Sequence, residues 1–344
     1  MPLWAILIGL GAGLASAVLF ASASTGTLFG LLVLFLLSPL PVMMAGLGWG
    51  WASAAVGAGA SAAAISVIGN GRAALFYTLA IGLPAALFAY LALLSRPERD
   101  PITGAARLEW YPLGRIVAWA VGWAAVLTTF ALLATGPDVD GLRAALGAAF
   151  DKMQVIRGVD TAPGTGNTSP TAPGEGVTAV DTKMFVEIMV IWFPWAVATC
   201  WLTMAMLNAW AAGHCIRLSG RLARPWPDLA SLQLPRQTPI AFAAAVASSF
   251  LPGMAGLMAS GAASAIVFAY VLVGLAILHA VTRGRSIRPM LLTLVYGALL
   301  LLSPFSALAV AMIGLAEPIS PLRRMQPSGP TPPATPSGPS PPSP

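Results

Sequence analysis

The chain has 344 residues, of which 57% are apolar and 9% charged, with 12 acidic side chains against 18 basic ones. A soluble domain is roughly a quarter charged, so this composition, with a mean hydropathy of +0.81, cannot clothe a water-facing globule. It excludes a water-soluble protein and predicts an all-α, polytopic integral membrane helix bundle with lipid as its solvent.

A charge at the centre of a lipid-exposed helix costs roughly 2.5 to 3.5 kcal/mol, so uncharged runs of about 20 residues mark spans. No charged residue and no histidine occurs from Met1 to Gly71, and the run divides into spans at 3–21, 27–45 and 49–68. The first and third are rich in small residues, as at Gly11-Ala12-Gly13 and Gly57-Ala58-Gly59-Ala60-Ser61. Such faces suit close helix packing or a surface for a partner helix. Ser38-Pro39-Leu40-Pro41 interrupts the helical run and frees backbone groups near the membrane. Pro39 and Pro41 are therefore candidates for lining a solute site, with a plain kink or turn as the alternative. Spans four and five follow at 73–95 and 116–134, each bounded by arginine.

Residues 138–159 begin with acidic groups and then place Leu142, Leu146, Ala149, Phe150, Met153 and Ile156 at helical steps. This is one external amphipathic helix, which either covers the outer mouth of the bundle or lies on the membrane surface. The Pro-, Gly- and Thr-rich stretch at 158–182 reads as a flexible external loop. Span six covers 184–211. Glu187, one turn inside it and four residues after Lys183, is the single carboxylate expected to enter the hydrocarbon region. It is a candidate for binding a solute or proton, with Lys183 pairing or snorkelling at the interface as the alternative. Asn208, near the other end of that span, either bridges helices or reads a ligand. Residues 237–282 are uncharged apart from His279 and too long for one crossing; Gly253, Gly256 and Gly261 suggest the turn between spans seven and eight. The run 289–316 is expected to form one span, tilted or kinked at Pro304. The total is about nine, within eight to ten. The last 28 residues hold 11 prolines and should form a disordered tail. The chain thus divides into a five-span half at 1–135, an external segment at 136–183, a four-span half at 184–316 and the tail at 317–344.

Arginines cluster in three connections: Arg96, Arg99, Arg107 and Arg115; Arg217, Arg221, Arg224 and Arg236; Arg283, Arg285 and Arg288. A nine-span count puts all three on one side, and basic connections stay in the cytoplasm. The N-terminus is then inside, and 136–183 outside, a bacterial inner membrane. The side of Arg323 and Arg324 stays open. The pI of about 9.9 reflects basic anchors beside anionic headgroups rather than a nucleic-acid partner. Ala21-Ser22-Ala23 has the form of a signal-peptide cleavage site, but no basic residue precedes it and further spans follow at once.

Catalytic patterns are missing. No span contains aspartate, and there is neither a His-Glu-x-x-His helix nor a phosphate-binding loop. Ser61, in Gly59-Ala60-Ser61-Ala62, has no base at its depth, because His214 and His279 fall at the cytoplasmic ends. Cys200 and Cys215 lie too far apart along a helix to bond and are too few for a metal site. No enzymatic activity and no cofactor are expected.

Several stretches carry a family resemblance: Pro39-Leu40-Pro41, Arg221-Leu222-Ala223-Arg224-Pro225-Trp226-Pro227 with Leu234-Pro235, and Gly274-Leu275-Ala276-Ile277-Leu278-His279 leading to Thr282-Arg283-Gly284-Arg285. Arg288, Leu291, Leu292 and Tyr296, then Gly314-Leu315-Ala316-Glu317 and Arg323-Arg324, complete the pattern. Over roughly 3–324, without the external loop and tail, the chain resembles the YybS-like family of bacterial inner-membrane proteins. That family is distantly similar to the substrate-binding membrane subunits of energy-coupling-factor vitamin transporters and to the rod-shape protein MreD. The resemblance implies a fold only. About three extra spans separate this chain from a six-span transporter subunit, so no binding residue carries over. Two functions are expected as alternatives. One is a solute-handling component that holds a small molecule and depends on ATPase partner subunits or an ion gradient. The other is an envelope or cell-shape scaffold that organises partners through its loops.

Overall fold

The computed structural model describes residues 2–25, 33–99, 106–156 and 179–317. Its helices are α1 (Leu3–Ala21), α2 (Leu40–Trp49), α3 (Trp51–Ile68), α4 (Gly71–Tyr77), α5 (Leu83–Leu93), α6 (Leu113–Thr135) and α7 (Val139–Ile156), followed by α8 (Ala179–Leu218), α9 (Thr238–Ser249), α10 (Met254–Val281), α11 (Arg288–Leu301) and α12 (Phe305–Ala316). Among the described residues, six helical stretches are long and apolar enough to cross a membrane: α1, α3, the continuous Gly71–Leu93, α6, Lys183–Leu218 within α8, and α10. The sequence reading expects about nine. The difference lies in α2, α9, α11 and α12, which are apolar but only 10 to 17 residues long. Leu7, Leu14 and Val18 on α1 and Phe130 on α6 are exposed, an outward apolar surface that suits lipid.

Small residues set the closest helix crossings. The hydroxyl of Ser53 donates to the Ala5 carbonyl at 3.1 Å and that of Ser61 to the Gly13 carbonyl at 2.7 Å, so α1 and α3 run parallel. At this crossing a Cβ on Gly9 would sit 2.6 Å from the Ser53 carbonyl oxygen, a distance only glycine tolerates. Ser61 therefore serves packing. Gly11 and Gly59, on other faces of the same helices, meet nothing within 4 Å. In the second half, Gly274 abuts the Val310 carbonyl and Gly314 the Tyr270 carbonyl, so α12 runs antiparallel to α10. The ring contact between Phe242 and Tyr270, with Gly256 against the carbonyls of Ser249 and Leu251, makes α9 antiparallel to α10 as well.

Three expectations need correction. The single span over 289–316 is interrupted at Leu302–Pro304, and α11 buries no residue. Both Arg288 and Tyr296 of α11 reach His279, so α11 lies across the end of the bundle rather than through it. The expected second span at 27–45 becomes α2, which starts at Leu40 and runs to Trp49; residues 26–32 lie outside the described set. Gly50, at φ 98°, separates α2 from α3, a backbone conformation that glycine adopts without a Cβ penalty. Finally, a β-hairpin joins α5 to α6, with β1 (Ser95–Arg99) antiparallel to β2 (Ala106–Trp110) and Arg96 opposite Glu109. Of the loop expected at 158–182, residues 158–178 lie outside the described residues and 179–182 begin α8; the expected tail lies outside them after Glu317.

The amphipathic helix forms as α7. Its Leu142 is fully buried against Leu132 of α6 and Val190 of α8, so it docks on the bundle end instead of resting on lipid alone.

Candidate functional site

The three arginine-bearing connections meet at one end of the bundle. Arg224 Nη1 donates to the Ala92 carbonyl at the end of α5, 3.3 Å away. Arg283 Nη2 lies 3.1 Å from Asp228 Oδ1. The guanidinium groups of Arg217 and Arg221 sit 5.1 Å from the ring centroids of Trp226 and Trp49, cation–π contacts of the kind an interfacial belt uses. Arg96 pairs with Glu109 across the hairpin, Arg99 continues β1, and Arg285 sits in the turn after α10. The N-terminus of α1 shares this end, because Ala5 is level with Ser53.

Glu187 lies elsewhere. Its partner is Arg143 of α7, at 2.7 Å, rather than Lys183, and Arg143 also holds Asp140 at 2.6 Å. These bonds, that from Glu187 first, raise the Arg143 pKa above the ordinary guanidinium range. The pair bridges α7 and α8 at an exposed surface.

At mid-depth a polar layer repairs two helix breaks. Before α2, residues 33–39 are turn-like. Asn208 Nδ2 donates to the Leu36 carbonyl at 2.7 Å and to Met204 O in its own helix at 2.7 Å. Ser16 Oγ donates to the Ser38 carbonyl and therefore accepts from Tyr77 Oη, 2.6 Å away. The second break is the π-turn Thr78–Gly82 between α4 and α5. A widened turn displaces carbonyls from the regular ladder, and two indoles cover them: Trp123 Nε1 to Leu79 O at 2.9 Å and Trp201 Nε1 to Ala80 O at 2.7 Å. Asn208 and the Pro39–Pro41 break thus come together, about 31 Å along α8 from Glu187. Two buried atoms here have no hydrogen-bond partner, Ser38 Oγ and Asn208 Oδ1. Sequence reasoning missed Tyr77, Trp123 and Trp201. A polar-tipped aromatic at mid-span is the signal that marks them.

Between this layer and the arginine-rich end lies a cavity of about 700 Å³, within the size range of small-molecule sites. Its floor is apolar, with Met43 and Leu47 from α2, Phe88 from α5, Ile116 from α6, Met206 from α8 and Ala276 from α10. The 222–232 segment roofs it, anchored by buried Ala230 and Leu232. Polar groups gather at the mouth: Arg224, Asp228, His279, Arg283, Arg288 and Tyr296. Arg288 Nη2 faces His279 Nδ1 at 3.4 Å, and His279 Nε2 faces Tyr296 Oη at 2.9 Å. A guanidinium donor at Nδ1 assigns the imidazole hydrogen to Nε2 and leaves the ring neutral. Burial lowers the Arg224 pKa, the mark of a cation short of compensating charge. A larger groove of about 1080 Å³ between α6 and residues 233–237 runs along exposed Trp119 and Val126, the lipid-facing side, and has no enclosing wall of this kind.

No group of three or more His, Cys, Asp or Glu residues that could hold a metal ion occurs among the described residues. The chain matches no family model, no curated protein and no solved structure.

Proposed function

We propose that this protein is a solute-handling component of a bacterial inner membrane, holding a small molecule in the cavity between α2, α5, α6, α8 and α10. The observation that carries this reading is a half-open, largely apolar space with convergent polar groups at its mouth, a common form of small-molecule site. In this proposal the arginine-rich end, with the N-terminus, faces the cytoplasm. Nine segments then enter the bilayer: the six long helices plus α2, α9 and α12. α11 lies at the cytoplasmic interface. Without a phosphate-binding loop of its own, the protein draws on an ATPase partner or an ion gradient to move its solute. The resemblance to the YybS-like family supports this assignment at the level of fold.

The test is mass spectrometry of the full chain extracted from native membranes in mild detergent. A stoichiometric small molecule should accompany the parent protein and Glu187→Gln, whose site lies at the opposite end. It should be lost from Ala276→Phe, which fills the cavity. Equal retention by the cavity-filled variant refutes the reading.

The hairpin favours a second reading, as a scaffold. Every residue of β1 is exposed, and a lone two-stranded hairpin is marginal in water, so a protein partner resting on it would account for its persistence. Deleting residues 95–110 and restoring the connection with a short glycine–serine linker would then abolish partner capture while sparing any ligand.

A further inference from the structure

We propose that the cavity takes an amphipathic anion, an apolar body ending in one carboxylate or phosphate, with Arg224 and Arg288 reading the head. The inference rests on the solute-handling reading and adds the ligand's chemical class. It follows from the charges at the mouth. Arg283 is matched by Asp228 at 3.1 Å and contributes little net field. Arg224 reaches only a backbone carbonyl at 3.3 Å, and Arg288 only a neutral imidazole at 3.4 Å. Neither has a carboxylate partner among the described residues, yet both line a cavity whose remaining wall is apolar. A half-buried guanidinium facing apolar side chains is poorly solvated, and an anion supplies the missing acceptors through charge-assisted bonds. A neutral apolar ligand would fill the volume and leave both cations uncompensated. A small hydrophilic anion would satisfy the cations and leave the partly exposed Leu113, Met206, Leu222, Leu272 and Leu275 against empty space. Only a molecule with both parts answers the whole lining. Tyr296 Oη and His279, hydrogen-bonded together beside Arg288, fix that arginine's position at the rim.

Two sources share this chemistry, a two-chain anionic phospholipid entering from the bilayer and a single-chain amphiphile. The probe is cis-parinaric acid, a fluorescent fatty acid, titrated into the full chain in nanodiscs of zwitterionic lipid, beside its methyl ester and inorganic phosphate. The acid should bind saturably, the ester at least about tenfold more weakly, and phosphate should not compete. Arg224→Gln and Arg288→Gln should each weaken the acid by about tenfold or more, the range expected for a charge-assisted bond, and leave the ester unchanged. Ala276→Phe, or Ala209→Phe if the former fails to fold, should abolish binding of both. If phosphatidylglycerol in the nanodisc displaces the probe, the ligand is a bilayer lipid; if only decanoate or decyl phosphate does, it is a single-chain amphiphile; both support the proposal. Equal affinity for acid and ester overturns the anion inference and leaves the cavity reading standing. Absence of saturable binding by either overturns the cavity reading itself.

Discussion

One of the contacts that hold the roof of the cavity is a close backbone approach, and the Gly114→Ala substitution tests it. Gly114 opens α6 and abuts the carbonyl of Gln233, the residue that follows the roof segment. A Cβ at this position would overlap the carbonyl oxygen and lie 2.6 Å from the carbonyl carbon. Carbon atoms pack at about 3.5 Å or more, so the obstruction is backbone and must move by roughly 1 Å. It cannot be relieved by a rotamer change. Overpacking of this size costs about 1 to 3 kcal/mol, which corresponds to a roughly 5- to 150-fold larger equilibrium for lifting the segment. Leu232, buried at 9% exposure, provides the reporter. A Leu232→Cys variant is labelled with a membrane-impermeant maleimide after Cys200 and Cys215, both exposed free thiols, are replaced by serine. Adding Gly114→Ala should speed labelling at position 232 by that factor, with Gly122→Ala, where nothing lies within 4 Å, as the neutral comparison. Labelling within twofold of the parent would refute the claim that this contact holds the roof.

Three further outcomes follow from the packing. Asn208→Ala removes the link between α8 and the turn before α2; bonds of this kind average about 0.6 kcal/mol and reach about 1.7. The expected loss in thermal unfolding is small, whereas Asn208→Asp sets a carboxylate against two carbonyl oxygens and should be clearly worse; equal melting of the two variants contradicts the assigned geometry. Leu142→Asp should release α7, seen as rapid amide exchange across Val139–Ile156, while Arg143→Gln changes little because both partners of the ion pair are exposed and screened. The raised Arg143 pKa puts its contribution fully in place below the ordinary guanidinium range, lost only as pH climbs through the raised value, so its titration should leave exchange in α7 unchanged between mildly acidic and mildly alkaline buffer. Gly274→Val drives a side chain into the Val310 carbonyl and should abolish monodisperse protein, where Gly297→Val, with open space around it, should not; identical chromatographic profiles would deny the α10–α12 crossing.

The long helices were legible because charge avoidance in lipid is a strong and local signal: the uncharged runs coincide with α1, α3, Gly71–Leu93, α6 and α10. The amphipathic spacing of Leu142 and Leu146 gave α7 for the same reason. The hairpin was not legible, since Arg96, Pro97, Glu98 and Arg99 show no alternation, and their pairing with 106–110 depends on a turn through residues outside the described set. The break at Leu302–Pro304 divides a run whose hydropathy alone does not distinguish one kinked helix from two. Glu187 was read with Lys183 as its alternative partner, but its ion pair is with Arg143 on another helix, which no local pattern encodes. Cavity and mouth arise from residues 43 to 296 converging from six helices and two connections, which no local pattern encodes.

The mid-depth layer and the cavity compete as the place where a ligand would act, and energetics separates them. In the layer nearly every polar group already serves the fold: Asn208 Nδ2, Ser16 Oγ and the two indoles each answer a carbonyl released by a helix break, and Tyr77 Oη donates to Ser16 Oγ. A ligand there would have to replace those bonds while entering a region where Ser16, Ser38, Ser61 and Tyr77 are fully buried, and the two atoms left over, Ser38 Oγ and Asn208 Oδ1, offer only two contacts. At the cavity the situation is reversed. Volume is already open, no interhelical bond need break, and two guanidinium groups gain acceptors on binding. The mid-depth layer therefore holds α2, α4, α5 and α8 in register, and under the proposed function a ligand's free energy would come from the arginine-rich mouth that those helices support.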